Sequence, residues 1–255
     1  MKALVLAIVT VAAAATAAEI APVDRRSGYA FDGPETRAMQ DDDTANPGML
    51  GVLQGENLWT TKAGVADRSC ADCHGDVRSS MKGVAARYPA FDTTLARPVD
   101  LEQRINRCRS EHQGAEPFAW ESEDLLALTA FVAHQSRGLP IAVSSSAELR
   151  PFLDLGSELF HRREGQLNLS CSQRHDDNWG KRLAGAPIPQ GHPTGYPVYR
   201  LEWQSLGSLQ RRLRNCMIGV RAEPYEYGAP EAVALELYLM ARARGMPIET
   251  PAVRP

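Results

Sequence analysis

Apolar residues are spread unevenly along this chain. From Ala3 to Ala15 nearly every position is apolar, behind Met1-Lys2 and ahead of the small-x-small site Ala15-Thr16-Ala17. That layout predicts a cleaved export signal over residues 1–18, too short to span a membrane. Residues 19–50 are rich in Asp, Pro and Gly and include the acidic run Asp41-Asp42-Asp43. They read as an extended arm or irregular lead-in, with a disordered tail as the competing reading for the first half. Beyond them, short amphipathic helices are expected around Leu58-Trp59 and Leu159-Phe160. Leu125, Leu128, Phe131 and Val132 recur at helical spacing. That helix should run from an N-cap at Ser122 to Arg137, stopped by Gly138 and Pro140. A second long helix should start at Pro230, a favoured first helical residue, and end at Gly245 and Pro247. Strand signals are sparse, with one short hairpin element expected in Val198–Trp203.

The pattern occurs twice. Gly55-Glu-Asn-Leu-Trp59 returns as Gly156-Ser-Glu-Leu-Phe160, 101 positions on, and the same offset carries Cys70 to Cys171 and His74 to His175. Leu101, Arg104 and Cys108 return as Leu209, Arg212 and Cys216, 108 positions on. Arg137-Gly-Leu-Pro-Ile141 returns as Arg244-Gly-Met-Pro-Ile248, 107 positions on. Matches that keep their order at nearly one offset mark a duplication. The predicted units are residues 51–145 and 146–255, joined near Ala142–Leu149, where Ser144-Ser145-Ser146 breaks the pattern.

Cys70-Ala-Asp-Cys-His74 supplies the chemistry. Two thiols two residues apart, followed at once by histidine, form the attachment pattern of haem c. One turn of backbone offers both sulfurs to the porphyrin vinyl groups and sets the imidazole under the ring. A zinc half-site would need two more ligands at similar local spacing, and there is no second Cys-x-x-Cys. A dithiol redox pair would call for a βαβ context that the following segment lacks. The predicted fold class is therefore mainly α, a tandem duplication of two cytochrome c (class I-like) domains. Haem c and an export signal together predict a soluble, periplasmic protein. The net charge of −3 gives no argument for nucleic acid.

Five cysteines is an odd number. With two on haem, Cys108, Cys171 and Cys216 remain. Cys108 and Cys216 each follow an arginine by four residues, one helical turn, where a cation favours thiolate. Both are candidate distal iron ligands. A Cys108–Cys216 disulfide is the alternative. Met217, Met240 and Met246 are other possible ligands, although the last two read better as core. His112 and His134 read as surface or packing residues. Arg211, Arg212, Arg214 and Arg221 cluster around Cys216 and suit either a solvated helix face or an oxyanion site of guanidinium forks.

These features resemble the SoxA family, the larger subunits of the SoxAX cytochromes of bacterial thiosulfate oxidation. The resemblance rests on CADCHG, Ile105-Asn-Arg-Cys-Arg109 with Glu111-His-Gln113 and Ala115-Glu-Pro117, His175-Asp-Asp-Asn-Trp-Gly180, and Arg212-Leu-Arg-Asn-Cys216 with Val220-Arg-Ala222. It implies an L-cysteine S-thiosulfotransferase that joins thiosulfate to a cysteine of the carrier SoxYZ. It further implies a SoxX partner, with electrons leaving through haem to a cytochrome c. By the same resemblance Cys216 is the catalytic residue, carrying a persulfide, and Arg212 binds substrate. Cys70, Cys73, His74 and Cys108 would hold the first haem, with His74 and Cys108 on iron. Cys171, His175 and Cys216 would hold the second, with His175 and Cys216 on iron. Arg174 departs from the pattern, standing where the second thioether cysteine of Cys171-Ser-Gln-Arg-His175 belongs. It places attachment of the second haem in question. The alternative functions are a diheme electron carrier without a substrate site and a non-catalytic docking partner.

Overall fold

The computed structural model describes residues 20–255, so the expected export signal lies outside the described residues. The segment read as an irregular arm is folded. It holds two 3-10 turns (Pro22–Asp24 and Gly28–Phe31) and helix α1 (Pro34–Asp41). Helix α2 (Gly48–Thr60) follows, then α3 (Cys70–His74), α4 (Val77–Ser80), the hairpin β1 (Ala90–Asp92) and β2 (Arg97–Val99), α5 (Leu101–Cys108) and α6 (Glu123–His134). The second half repeats this order. It runs through α7 (Arg150–His161), α8 (Cys171–His175), a small hairpin β3 (Arg182–Leu183) and β4 (Ala186–Pro187), and a second hairpin β5 (Val198–Arg200) and β6 (Ser205–Gly207). It closes with α9 (Leu209–Gly219), α10 (Pro230–Arg242) and β7 (Ala252–Arg254).

Local chemistry sets these boundaries. The Ser122 hydroxyl accepts the Leu125 N–H at 3.3 Å and starts α6 where its spacing required. Ser69 with Asp72, and Ser170 with Gln173, form reciprocal capping boxes at α3 and α8. Both short helices are thereby fixed at the residue before their first cysteine. In each half the opening and closing helices cross closely, α2 on α6 and α7 on α10. A Cβ at Gly55 would collide with the Ala127 carbonyl, and one at Gly156 with the Ala234 carbonyl. These glycines therefore allow the same crossing twice.

Trp59, Ile105, Leu125, Leu128 and Phe131 fill the first core, and Leu159, Phe160, Leu235 and Leu239 the second. Leu237 and Ile248 of the second half belong to the first core, so the halves share a buried seam. A polar cluster crosses that seam. Gln210 Nε2 donates to Asp100 Oδ2 at 2.7 Å and to Glu236 Oε2 at 3.3 Å. The expected hairpin in Val198–Trp203 is real and gains a third strand, because β7 pairs with β5 in parallel. Helix α1 packs on β7, and Gln40 Oε1 accepts the Val253 N–H at 3.1 Å. This contact explains why the acidic, Pro-rich lead-in is ordered. Among the described residues no helix is long and apolar enough to cross a membrane.

Candidate functional site

The first site is a cavity of about 470 Å³, within the range of small-molecule and cofactor pockets. Cys70, Cys73 and His74 on α3 face it, and Cys108 at the end of α5 lines it too. Leu101, Ile105, Leu128 and Val132 supply apolar wall. Trp59 lies against His74, with ring centroids 5.6 Å apart, and its Nε1 donates to the Gly75 carbonyl at 3.3 Å. Two thiols, an imidazole and a further sulfur around a mostly apolar cavity of this size fit haem c. Burial raises the pKa of Cys70, with the Cys108 sulfur as the next cause. Burial also raises that of Cys108, against the lowering effect of Arg104. The arginine one turn earlier does act as its spacing predicted, but desolvation of the thiol outweighs it. At Cys108 burial therefore works against the thiolate that the arginine spacing predicts.

Sequence reasoning passed over other residues of this wall. His112, read as surface or packing, lines the cavity, as do Tyr88, Arg87 and Arg109. His134 is absent from that lining, and its Nε2 is buried without a partner. Tyr88 had a signal in the sequence: Tyr88-Pro89 returns 108 positions on as Tyr196-Pro197, and both peptide bonds are cis.

The second site gathers Cys171, His175, Arg212 and Cys216. His175 Nδ1 donates to the Pro189 carbonyl at 2.7 Å, which leaves the Nε2 lone pair for iron. Burial pushes the pKa of this ring down to about 4, with the Pro189 acceptor opposing the shift, so the imidazole is neutral. Gly191, at φ +73°, lets the loop close over it, since a Cβ there would sit 3.2 Å from His175 Cγ. Behind the ring, Asp176 and Arg242 form a buried ion pair, with side chains 2% and 3% exposed. The Arg242 guanidinium lies 4.4 Å over the Phe160 ring. This pair ties α8 to α10.

Burial pushes the Cys171 thiol up to about 12, with the sulfur of Cys216 as the next cause. Cys171 and Cys216 are thus neighbours, whereas Cys108 belongs to the other site. All five cysteines are unpaired, so the alternative Cys108–Cys216 disulfide is not formed. Arg212 is half-buried one turn before Cys216, and no side-chain hydrogen bond or ion pair holds it among the described residues. Its pKa is raised: burial works against the charge, but Cys216, Tyr196 and Glu202 together outweigh it.

The expected cluster of guanidinium forks is dispersed. Arg211 lies 4.2 Å over Trp203, Arg214 lies 4.7 Å over Tyr227, and Arg221 reaches Gln166 at 3.4 Å. Met240 and Met246 pack against the first core, and Met217 is buried. The donor set around His175 and Cys216 fits haem iron, with one thioether position short. Arg174 fills that position, and its Nε is buried without a partner.

The profile of the SoxA/TsdA cytochrome c domain matches residues 54–141 and again 155–248, in register with the two halves. The L-cysteine S-thiosulfotransferase subunit SoxA of Pseudaminobacter salicylatoxidans is 42% identical over 229 residues, 89% of this chain and 80% of that protein. The protein of the same name from Rhodovulum sulfidophilum is 36% identical over 90% of this chain and 80% of its own length. A crystal structure of SoxXA from P. pantotrophus superposes with a TM-score of 0.87 at 32% identity, over 91% of this chain and 87% of that one. With two cytochrome c repeats, a haem c motif and these relatives, the chain belongs to the SoxA family.

Proposed function

We propose that this chain is the substrate-binding subunit of an L-cysteine S-thiosulfotransferase. Thiosulfate and the thiol of a carrier cysteine join through a new S–S bond. The carrier thiol loses its proton, and two electrons leave. Haem, when bound, supplies the route by which those electrons depart, ultimately to a cytochrome c. The observation that carries this reading is Arg212, a half-buried cation beside Cys216 with no carboxylate in hydrogen-bond or ion-pair contact, Glu202 acting on it only at longer range. A buried guanidinium without an anion is costly, and a small dianion relieves that cost. Arg212 holds the sulfonate end. Cys216 faces the sulfane sulfur: its thiol loses a proton and two electrons leave as the Cys216–S–S–SO3 bond forms, and the carrier thiol then displaces the Cys216 sulfur and takes the intact thiosulfonate.

His74 and Cys108 are the proposed iron ligands of the first haem, attached through Cys70 and Cys73. His175 and Cys216 are those of the second, attached through Cys171 alone. The retained His175–Pro189 hydrogen bond supports a second haem despite Arg174. A SoxX-type small cytochrome is the proposed partner, by likeness to the SoxXA structure, and a SoxYZ-type protein the carrier. The periplasm is the proposed compartment, and residues 51–145 and 146–255 are the proposed domains.

The test is transfer of thiosulfate to the carrier by the purified complex. Arg212→Gln should lower kcat/KM roughly 10–100-fold, the range for losing a hydrogen bond to a charged group. Unchanged transfer by this variant would overturn the reading.

A further inference from the structure

The duplication places a difference beside Cys216 that neither half shows alone. Strands β1 and β5 are each three residues long and pair identically, Ala90 with Val99 and Val198 with Gly207. Asp92 and Arg200 therefore occupy one position in the two halves, each twelve residues before the arginine that precedes the distal cysteine. In the first half Asp92 neutralises that arginine. Its Oδ2 accepts from Arg104 Nη2 at 2.7 Å and also binds Arg107, and its side chain is only 5% exposed. In the second half the carboxylate is replaced by Arg200, and the place of Arg107 is taken by Asn215. Arg212 thus loses the hydrogen-bonded acceptor its counterpart has, keeps Glu202 only as a longer-range carboxylate, and gains a cation as neighbour.

Arg200 is itself poorly partnered. Its Nε is buried with no acceptor. Its Nη2 reaches Glu202 at 3.1 Å, but that carboxylate is 65% exposed. Its guanidinium also lies 5.2 Å from the Trp203 ring centre. Burial lowers its pKa, and the charge of Arg212 is the next cause, so the two guanidiniums act on one another directly. Two like charges held together in part-buried surroundings disfavour each other unless an anion lies between them.

We propose that Arg200 is the second guanidinium of the substrate site, so that the thiosulfate dianion is held between Arg200 and Arg212. This inference rests on the transferase reading and extends it. One half of the duplication keeps its arginine capped by aspartate and closed to anions. The other has exchanged that aspartate for arginine and opened the same position to a ligand of charge −2. Arg200 is a specificity residue for dianionic sulfur oxyanions over monoanions.

The experiment uses the complete complex with its carrier, reading kcat and KM for thiosulfate together with a calorimetric titration of thiosulfate onto the complex alone. Arg200→Gln should raise KM and the titrated Kd roughly 10–100-fold with kcat within about twofold. Arg200→Lys should recover most of that loss. Arg200→Asp, which installs the arrangement of the first half, should remove detectable binding. Glu202→Gln, on an exposed residue, frees Arg200 of its carboxylate and should lower KM. A merely structural arginine would leave KM unmoved in the Gln variant while reducing the amount of folded protein. Wild-type KM in Arg200→Gln, or a raised KM in Glu202→Gln, overturns the proposal. Thiosulfate binding without transfer in the wild type would overturn the transferase reading and leave the paired-arginine site standing.

Discussion

Replacing Asp176 by asparagine strands a cation. The Asp176–Arg242 pair is the most deeply buried ion pair among those described, with side chains 2% and 3% exposed. The guanidinium keeps its contact with the Phe160 face in the variant but loses the negative charge and one of its two oxygen acceptors. Removing one partner of such a pair costs about 3–5 kcal/mol, because the remaining charge stays desolvated. In a chain of this length each kcal/mol lowers the melting temperature by about 2–4 °C, so a fall of roughly 6–20 °C is expected. Thermal unfolding followed by far-ultraviolet circular dichroism at neutral pH reads it. The double variant Asp176→Asn with Arg242→Met removes both charges and should regain most of the loss, since buried pairs exchange for apolar residues at little net cost. A single variant that loses less than about 1 kcal/mol, or a double variant no better than the single, would refute the argument that this pair pins α8 to α10.

Gly156→Ala drives a methyl into the Ala234 carbonyl and should destabilise by about 1–3 kcal/mol in chemical denaturation, while Gly219→Ala, with open space around it, should be harmless or stabilising. At the seam, burial raises Glu102 to about 8 and Asp100 to about 6, and Glu236 well above its ordinary value. The folded state then binds more protons than the unfolded one, so stability falls as pH rises from about 4.5 through about 8. Denaturation midpoints at a series of pH values should show this slope, and Glu102→Gln should flatten it. Arg174→Cys restores a full Cys-x-x-Cys-His. The visible band of the denatured haem in pyridine should then shift to that of two saturated vinyl groups on both haems, where the wild type shows one vinyl remaining.

The duplication, both closing helices and the haem motif were legible in the sequence because each is written locally. Ser122, Pro230 and the glycine-proline stops act within one or two turns. The lead-in was not legible, because α1 is ordered by a strand more than two hundred residues away. Strand β7 is three residues long and has no pattern of its own. The thiolate expected at Cys108 is opposed for a related reason: the arginine is a local feature, whereas the burial that outweighs it is tertiary. The arginine run around Cys216 looked like one cluster in sequence, yet helical geometry sends Arg211 and Arg214 to aromatic rings and leaves Arg212 facing the cysteine. The exchange of Asp92 for Arg200 became visible only once the two hairpins could be laid in register.

Transfer at Cys216 is the claim on which the rest depends. The most direct test is peptide mass spectrometry of the complex after one turnover with thiosulfate labelled in its sulfane sulfur, without reductant. Labelled thiosulfonate is expected on the Cys216 peptide before the carrier is added and on the carrier cysteine afterwards, both absent in Cys216→Ser. Labelled carrier formed equally well by Cys216→Ser would contradict transfer at Cys216.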